Sequence, residues 1–504
     1  MNIKYLLTHS VSVLLLLALF VSCSEDDNGT GTEVNPPSVT APGSQNTLVG
    51  ESIEITFNIT ADEGYQSAEV TAQNGTAEIT SEPEAGATSG DVVVNYTGDA
   101  SGAGSVELTV TDADGMSQKA TAVVSVNEEE STIRVVDNIT EDTTWENGKI
   151  YILGGRIIVE PGATLTIEAG VIVKGEAGAE ANATTLLVAR DGTLNANGTA
   201  EQPIIFTSVA DEITPEDVDN GNFASPNLDP TVRGLWGGVI VLGNAPISVG
   251  SGSEAQIEGI PSSETLALYG GDDAEDSSGS LTYVTIRHGG TNIGEGNEIN
   301  GLSLGGVGSG TTIENIEIVA NQDDGVEWFG GTVSVKNVLV WNNGDDALDT
   351  DQAWAGTVDN VVTINPAGSL MELDGPEGSY TGSGHTITNV TAYAGADTEF
   401  LIDTDDNTDV NVNNVLFMWS SESTTMLDDN YSEYADNQNG YAITSLEAVL
   451  PSGTLSDFFP SSLIDAEEVS SVSSYSEATV GADVSVFGFT WASQSGALAE
   501  IGLE

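Results

Sequence analysis

The chain has 504 residues, of which 78 are acidic and 10 basic, for a formal charge of −68. That balance excludes a basic groove for nucleic acid and a surface drawn to anionic lipid headgroups. A hydrophobic content of 39% is enough for a sizeable core, and a single cysteine excludes an internal disulfide.

Residues 1–22 read as an export signal, with Lys4 as the positive start and Val13 to Phe20 as the apolar segment. That segment is shorter than the ~20 residues a membrane-spanning helix needs. It runs into Phe20-Val21-Ser22-Cys23, which resembles a bacterial lipobox: a small residue immediately before an acceptor cysteine, here with Phe20 where Leu is commonest. The resemblance implies lipidation at Cys23 and an outer-membrane location, with the membrane met only through the lipid. Residues 23–37 form an acidic, flexible tether that opens Ser24-Glu25-Asp26-Asp27-Asn28. This run resembles the export tag of lipoproteins displayed on the cell surface, and so implies surface exposure.

Residues 38–127 alternate apolar and polar side chains in short runs, as in Ser52-Ile53-Glu54-Ile55-Thr56-Phe57-Asn58-Ile59. A period of two with regular turns predicts an antiparallel sandwich. It resembles the immunoglobulin-like spacer modules of bacterial surface proteins. No cluster of catalytic residue types occurs in it, which suits a stalk. Asn127-Glu128-Glu129-Glu130-Ser131 marks its end.

From residue 132 the texture changes, and Pro161 to Lys174 resembles the opening coil of a right-handed parallel β-helix. Five Asn anchors, each flanked by apolar residues at the same offsets, then recur: Asn315, Asn337, Asn360, Asn389 and Asn414. Their spacings of 22, 23, 29 and 25 residues fit coils that vary in one loop. Stacked Asn amides in a tight turn would satisfy one another along the stack. The expected fold class is all-β: a right-handed parallel β-helix over 132–440, preceded by the immunoglobulin-like β-sandwich. Residues 441–504 are expected to cap the last coil with Phe458-Phe459 and Phe487-Gly488-Phe489-Thr490-Trp491.

Counting from each anchor places Glu327, Asp349 and Glu372 at +12, and Asp351, Asp374 and Asp403 at +14. Val326, Trp328, Leu348, Thr350, Met371 and Leu373 fall between them, so strand alternation sends the apolar set inward and the carboxylates outward. The preceding turn carries Asp323-Asp324 and Asp345-Asp346 at +8 and +9. Coils stack ~4.8 Å apart, where two unit charges repel by roughly 3.5 kcal/mol at an effective dielectric near 20. Protonation or bound cations must relieve such a stripe, and a set of hard oxygen ligands suits Ca²⁺.

The Gly344-Asp345-Asp346 turn resembles that of the polygalacturonases, and Asn321-Gln322-Asp323-Asp324-Gly325 looks like a second copy. Pectate lyases and polygalacturonases are right-handed β-helices with active sites on this turn-and-strand face. The resemblance implies the fold and the place of a site, with Asp323, Asp345 and Asp346 as catalytic candidates. It stops there. No Gly-His-Gly or Arg-x-Lys signature is present, and His385 falls on a different strand from the carboxylates.

Arg287 is the basic group nearest the stripe, at an outward +4 position in line with Val319, Trp341, Ile364, Tyr393 and Met418. The loop after it, with Glu295, Asn297 and Glu298, is placed to overhang the acidic face. Trp341 and Tyr393 could stack on sugar rings if they face solvent. The region from Glu258 to Trp354 resembles β-helix surface lipoproteins often found with outer-membrane TonB-dependent receptors. Two readings follow. One is a surface binding or structural module for an extracellular glycan or an outer-membrane receptor, using Ca²⁺, Trp341, Tyr393 and Arg287. The other is a polysaccharide lyase or glycoside hydrolase working on the same face.

Overall fold

The computed structural model describes residues 35–127, 131–178, 182–291, 299–404, 407–427, 431 and 442–503. They divide into two compact units on either side of residue 130. Cys23, the export signal, most of the tether and the loop carrying Glu295, Asn297 and Glu298 lie outside the described residues.

The first unit is a sandwich of two four-stranded sheets, antiparallel apart from the pairing of Gln45–Leu48 with Ser117–Asn127. Alternation does the sorting: along Ser52–Thr60 the residues Ile55, Phe57 and Ile59 turn inward and their neighbours outward. They meet Val92, Val94, Val106, Leu108 and Val124 in a single core. Tyr96 is buried at its edge and donates its hydroxyl to the carbonyls of Asn74 at 2.6 Å and Gln73 at 3.1 Å.

The second unit is a right-handed parallel β-helix with three strands per coil. In the early coils the first and second strands are separate, as in Thr164–Ile167 and Ile172–Gly175. Later they fuse into one bent strand, as in Thr312–Val319. The bend is a single residue with positive φ: Tyr283, Asn315, Asn337, Asn360, Asn389, Asn414 and Ser445. Asn tolerates this left-handed conformation better than bulkier residues do, which explains the anchors. Their amides stack as expected. Asn337 donates to Asn315 Oδ1 and Asn360 to Asn337 Oδ1, each at 2.8 Å, and Asn414 donates to Asn389 Oδ1 at 3.3 Å. The stack breaks between Asn360 and Asn389, where Asn389 turns to Asp359 Oδ1 instead. Inside the coils one apolar core runs from Ile139 to Val469.

The parallel stack does not stop at residue 440. Ile443–Val449 pairs with Val410–Trp419, and Val469–Ser471 pairs with Ile443–Val449. The tail also departs from the expected plain cap. Phe458 and Phe459 do pack on Trp419 and Phe417 at the end of the stack, with ring centroids 5.0 and 5.8 Å apart. The residues beyond them run back along the side of the solenoid. Thr479 bonds Glu447, Gly481 the Asn414 carbonyl, Ala482 Thr391, Asp483 Asn360, Ala492 Glu317, and Gln494 the Gly221 carbonyl. Phe487, Phe489, Trp491 and Leu498 thereby cover the outer face of the second sheet. The physical reason is that this face is itself apolar: Val319, Leu339, Trp341, Val362, Ile364 and Leu416 point outward and need a cover.

Candidate functional site

The third sheet aligns Leu302–Gly305, Val326–Phe329, Leu348–Asp351, Glu372–Leu373 and Asp403–Thr404 in parallel. Its inward residues include Val326, Trp328, Leu348, Thr350 and Leu373, all buried. Outward, the register stacks Ser303, Glu327, Asp349, Glu372 and Asp403 in one column. Phe329 and Asp351 pair in a second column, and Asp374 continues it, its backbone N–H donating to the Thr350 carbonyl at 2.7 Å. Asp403 therefore stands opposite Glu372, not in the row of Asp374 as counting from the anchors predicts. The stretch from anchor Asn389 to Asp403 is two residues longer than that from Asn360 to Glu372, and the register absorbs the difference.

The turn ahead of the columns is built by two asparagines that anchor counting overlooks. Asn321 Nδ2 donates to the Asp324 carbonyl at 2.8 Å and to the Ile299 carbonyl at 3.0 Å. Asn343 Nδ2 does the same for the carbonyls of Asp345, at 3.0 Å, and Asp346. Both stand six residues after an anchor, the signal that could have revealed them. The inner aspartates then cap the next coil: Asp346 N–H donates to Asp324 Oδ1 at 2.9 Å, and Ser369 N–H to Asp346 Oδ1.

The stripe is not the open, hydrated surface that outward alternation suggests. Asp324, Glu327 and Asp346 are only 6–7% exposed, and of the four turn aspartates Asp345 alone is open to solvent. An insertion before the stripe supplies part of the cover. Its Ile247, Ile257, Ile260 and Tyr269 cluster with Phe329, and Tyr269 donates its hydroxyl to Gln352 Oε1 at 3.0 Å. Burial, followed by neighbouring carboxylates, pushes Asp324, Glu327 and Asp349 well above the usual carboxylate range. Burial and a bond to Asp346 push Glu372 up to about 10, and burial with Glu377 pushes Asp351 up to about 8.

Two trios bring their oxygens within 4.8 Å of one another: Asp323, Asp324 and Asp345, and Asp324, Glu327 and Asp349. Each could hold a metal ion, and they share Asp324. Beside the second trio, Asn300 donates through Nδ2 to Glu327, while its buried Oδ1 has no partner among the described residues. That oxygen is a further hard ligand of the kind a divalent cation uses.

A family model described as a pectate-lyase like β-helix domain matches residues 137–491. The chain belongs to this family. No curated protein sequence matches it. Among solved structures it is similar to a family 28 exopolygalacturonase from Yersinia enterocolitica, at 11% identity over 87% of this chain and 90% of that one, with a TM-score of 0.24. A GH87 α-1,3-glucanase catalytic domain in complex with tetrasaccharides matches at 8% identity over 82% and 88%, with a TM-score of 0.21. A variant of the SrpA adhesin from Streptococcus sanguinis matches 19% of this chain at 21% identity, with a TM-score of 0.16. The chain spans 58% of that adhesin's length.

In this pectate-lyase-like β-helix the other candidate residues are not gathered at the carboxylates. The +4 register is as counted: Arg287, Val319, Trp341, Ile364, Tyr393 and Met418 stand in line. They sit on the second sheet, beneath the tail. Arg287 is wholly buried under the ring of Trp491, 5.1 Å from its guanidinium carbon, so the expected ligand contact is closed to it. Trp341 meets Trp491 edge-on at 5.9 Å and is 7% exposed, which removes it as an open stacking platform. Tyr393 stays half-buried at the margin of the tail. Trp354 lies inside the coils, stacked on Trp328 at 4.7 Å. His385 also points inward, 3.1 Å from Thr350 Oγ1, and burial holds it neutral by pushing it down to about 3.

Proposed function

We propose that this protein is a binding module, tethered to the outer membrane through lipid on Cys23 and displayed on the cell surface. Its acidic face is loaded with Ca²⁺ and holds extracellular glycan or an outer-membrane receptor. One observation carries the reading: the trio Asp324, Glu327 and Asp349, the first two buried and Asp349 half-buried, whose oxygens converge within 4.8 Å. The charges that act most strongly on these three groups are other carboxylates, so the site favours either protons or a cation. Carboxylates in this number, with the Asn300 oxygen beside them, suit the hard, many-coordinate preference of Ca²⁺. Thermal melting with Ca²⁺ and with chelator tests it. Ca²⁺ is expected to raise the melting temperature, because it binds the folded state alone. Asp324→Asn, in both trios, is expected to remove most of that rise. Equal melting in chelator and in Ca²⁺ well above millimolar would overturn the metal.

A second reading, an enzyme acting on polysaccharide, has one observation in its favour. Asp351 at about 8 and Glu372 at about 10 are carboxyls held protonated at neutral pH, as a general acid must be. Against it, Arg287, the cationic partner expected from the sequence, is sealed beneath the tail. Product analysis separates the two: a new reducing end or an unsaturated sugar, lost in Asp345→Asn or Asp346→Asn, would establish catalysis.

A further inference from the structure

A polar cleft of about 570 Å³ opens at the corner between the second sheet and the Asp-Asp turn. Its walls come from separated parts of the chain, among them Arg233, Asn342, Asn365, Tyr393, Asp397 and the tail's Glu500. Several of these are held in place. Arg233 donates its Nε to the Asn342 carbonyl at 2.8 Å, which leaves its two terminal nitrogens without a partner among the described residues. Asn342 is pinned by its own bond to the Pro230 carbonyl at 3.2 Å. Asn342 and Asn365 take φ of 58° and 52°, a second row of left-handed corners five residues beyond the anchors. Tyr393 is half-buried at the margin of the apolar cluster under the tail and also lines the cleft, so its ring has one packed side and one open side. Ser420, another wall residue, has a buried hydroxyl with no partner among the described residues.

We infer that this cleft binds a neutral sugar, a pyranose ring lying against Tyr393 with its hydroxyls shared between Arg233 and the surrounding amide and carboxylate oxygens. A sugar hydroxyl both donates and accepts, and these walls mix donors and acceptors at short range. The ring's C–H face needs an aromatic surface, which Tyr393 supplies. An acidic sugar is disfavoured, because Asp397, Glu422 and Glu500 outnumber the one guanidinium. An apolar ligand would leave these polar walls unpaired. The volume falls within the ~300–1,000 Å³ of ordinary ligand pockets. The inference extends the glycan reading above but rests on other residues, since no member of either metal trio lines the cleft.

The test is a titration by saturation-transfer NMR with methyl pyranosides of glucose, galactose, mannose, xylose and N-acetylglucosamine, and with galacturonate, each in Ca²⁺ and in chelator. At least one neutral glycoside is expected to bind in the millimolar range, equally with and without Ca²⁺. Tyr393→Ala and Arg233→Gln should each weaken it roughly fivefold to tenfold, the size of one stacking or hydrogen-bonding contact. Asp397→Asn, at an exposed position, gives the same readout if either variant folds poorly. No titration by any neutral glycoside up to about 50 mM, tighter binding of galacturonate, or affinity unchanged in all three variants would each overturn the cleft. Binding that persists in chelator while melting ignores Ca²⁺ would overturn the metal reading and leave the cleft standing.

Discussion

The outer faces of the second and third sheets are built by the same strand alternation and meet opposite ends. On the second, the outward columns are largely apolar, and the tail seals them with Phe487, Phe489, Trp491 and Leu498. On the third, the outward columns are mostly carboxylates, and a cover that is only partial buries them among other carboxylates. Alternation decides which residues leave the core of a solenoid. It does not decide whether water or a distant stretch of chain receives them. An outward column of Val319, Trp341, Ile364 and Met418 demands a cover, and a column of Glu327, Asp349, Glu372 and Asp403 demands protons or cations.

The comparison breaks most visibly at the cover. Phe489 is 2% exposed and meets Tyr283 edge-on at 5.2 Å. Phe489→Ala is expected to lose ~3–5 kcal/mol of stability in urea unfolding, as for other large buried aromatics. Trp341→Ala should behave alike, acting on stability and leaving glycan retention in the folded protein unchanged. A loss under ~1 kcal/mol at Phe489 would mean that the tail rests on the second sheet without sealing it.

How far the fold was legible follows from the same two faces. The anchors were readable because a left-handed corner in every coil restricts the residue type, and five of the seven corners are Asn. The carboxylate register was readable while turn length stayed constant, through Glu372, and slipped at Asp403 once the turn grew by two residues. The cover was hidden because Trp491 and Arg287 are 204 positions apart in sequence, and no local period links them. Tyr393 lines a cleft shared with Arg233 and Glu500 for the same reason: the chain brings them together only in three dimensions.

The acidic face is tested by pH. Asp351 at about 8 and Glu372 at about 10 stand above the ~4 of an unfolded carboxylate. The folded chain therefore holds protons that the unfolded chain has released, and stability in chelator falls as pH rises from 7 to 9. His385, pushed down to about 3, has the opposite slope, but only below its unfolded value of ~6.5, outside that window. Ca²⁺ is expected to flatten the fall by replacing the protons. Glu372→Gln should flatten it in chelator as well, with a gain on the order of 1–3 kcal/mol at pH 9. A melting temperature that is level between pH 7 and 9 without metal would show that this face is far better hydrated than its burial implies.

The smallest expected effect lies at the corner where the first and second strands of each coil join. Asn337 donates to Asn315 and accepts from Asn360, both at 2.8 Å, and holds φ at 56°. Asn337→Gly keeps the conformation and loses the bonds, for about 1 kcal/mol. Asn337→Ala adds about 1 kcal/mol more for a left-handed residue with a Cβ. Asn360 holds φ at 67° and carries an additional load, because its Oδ1 accepts from the tail's Asp483 N–H at 2.6 Å and its Nδ2 also donates to the Asp483 carbonyl at 3.2 Å. Its substitution therefore loosens the cover as well as the stack. A double-mutant cycle with Phe489→Ala isolates that difference. Asn337→Ala should add to Phe489→Ala within ~0.3–0.5 kcal/mol, whereas Asn360→Ala should fall short of additivity by at least ~0.5 kcal/mol, since either change releases part of the same tail. Equal additivity at both corners would mean that the tail is held by its apolar contacts alone, and that the Asn360 to Asp483 pair contributes nothing to closing the second sheet.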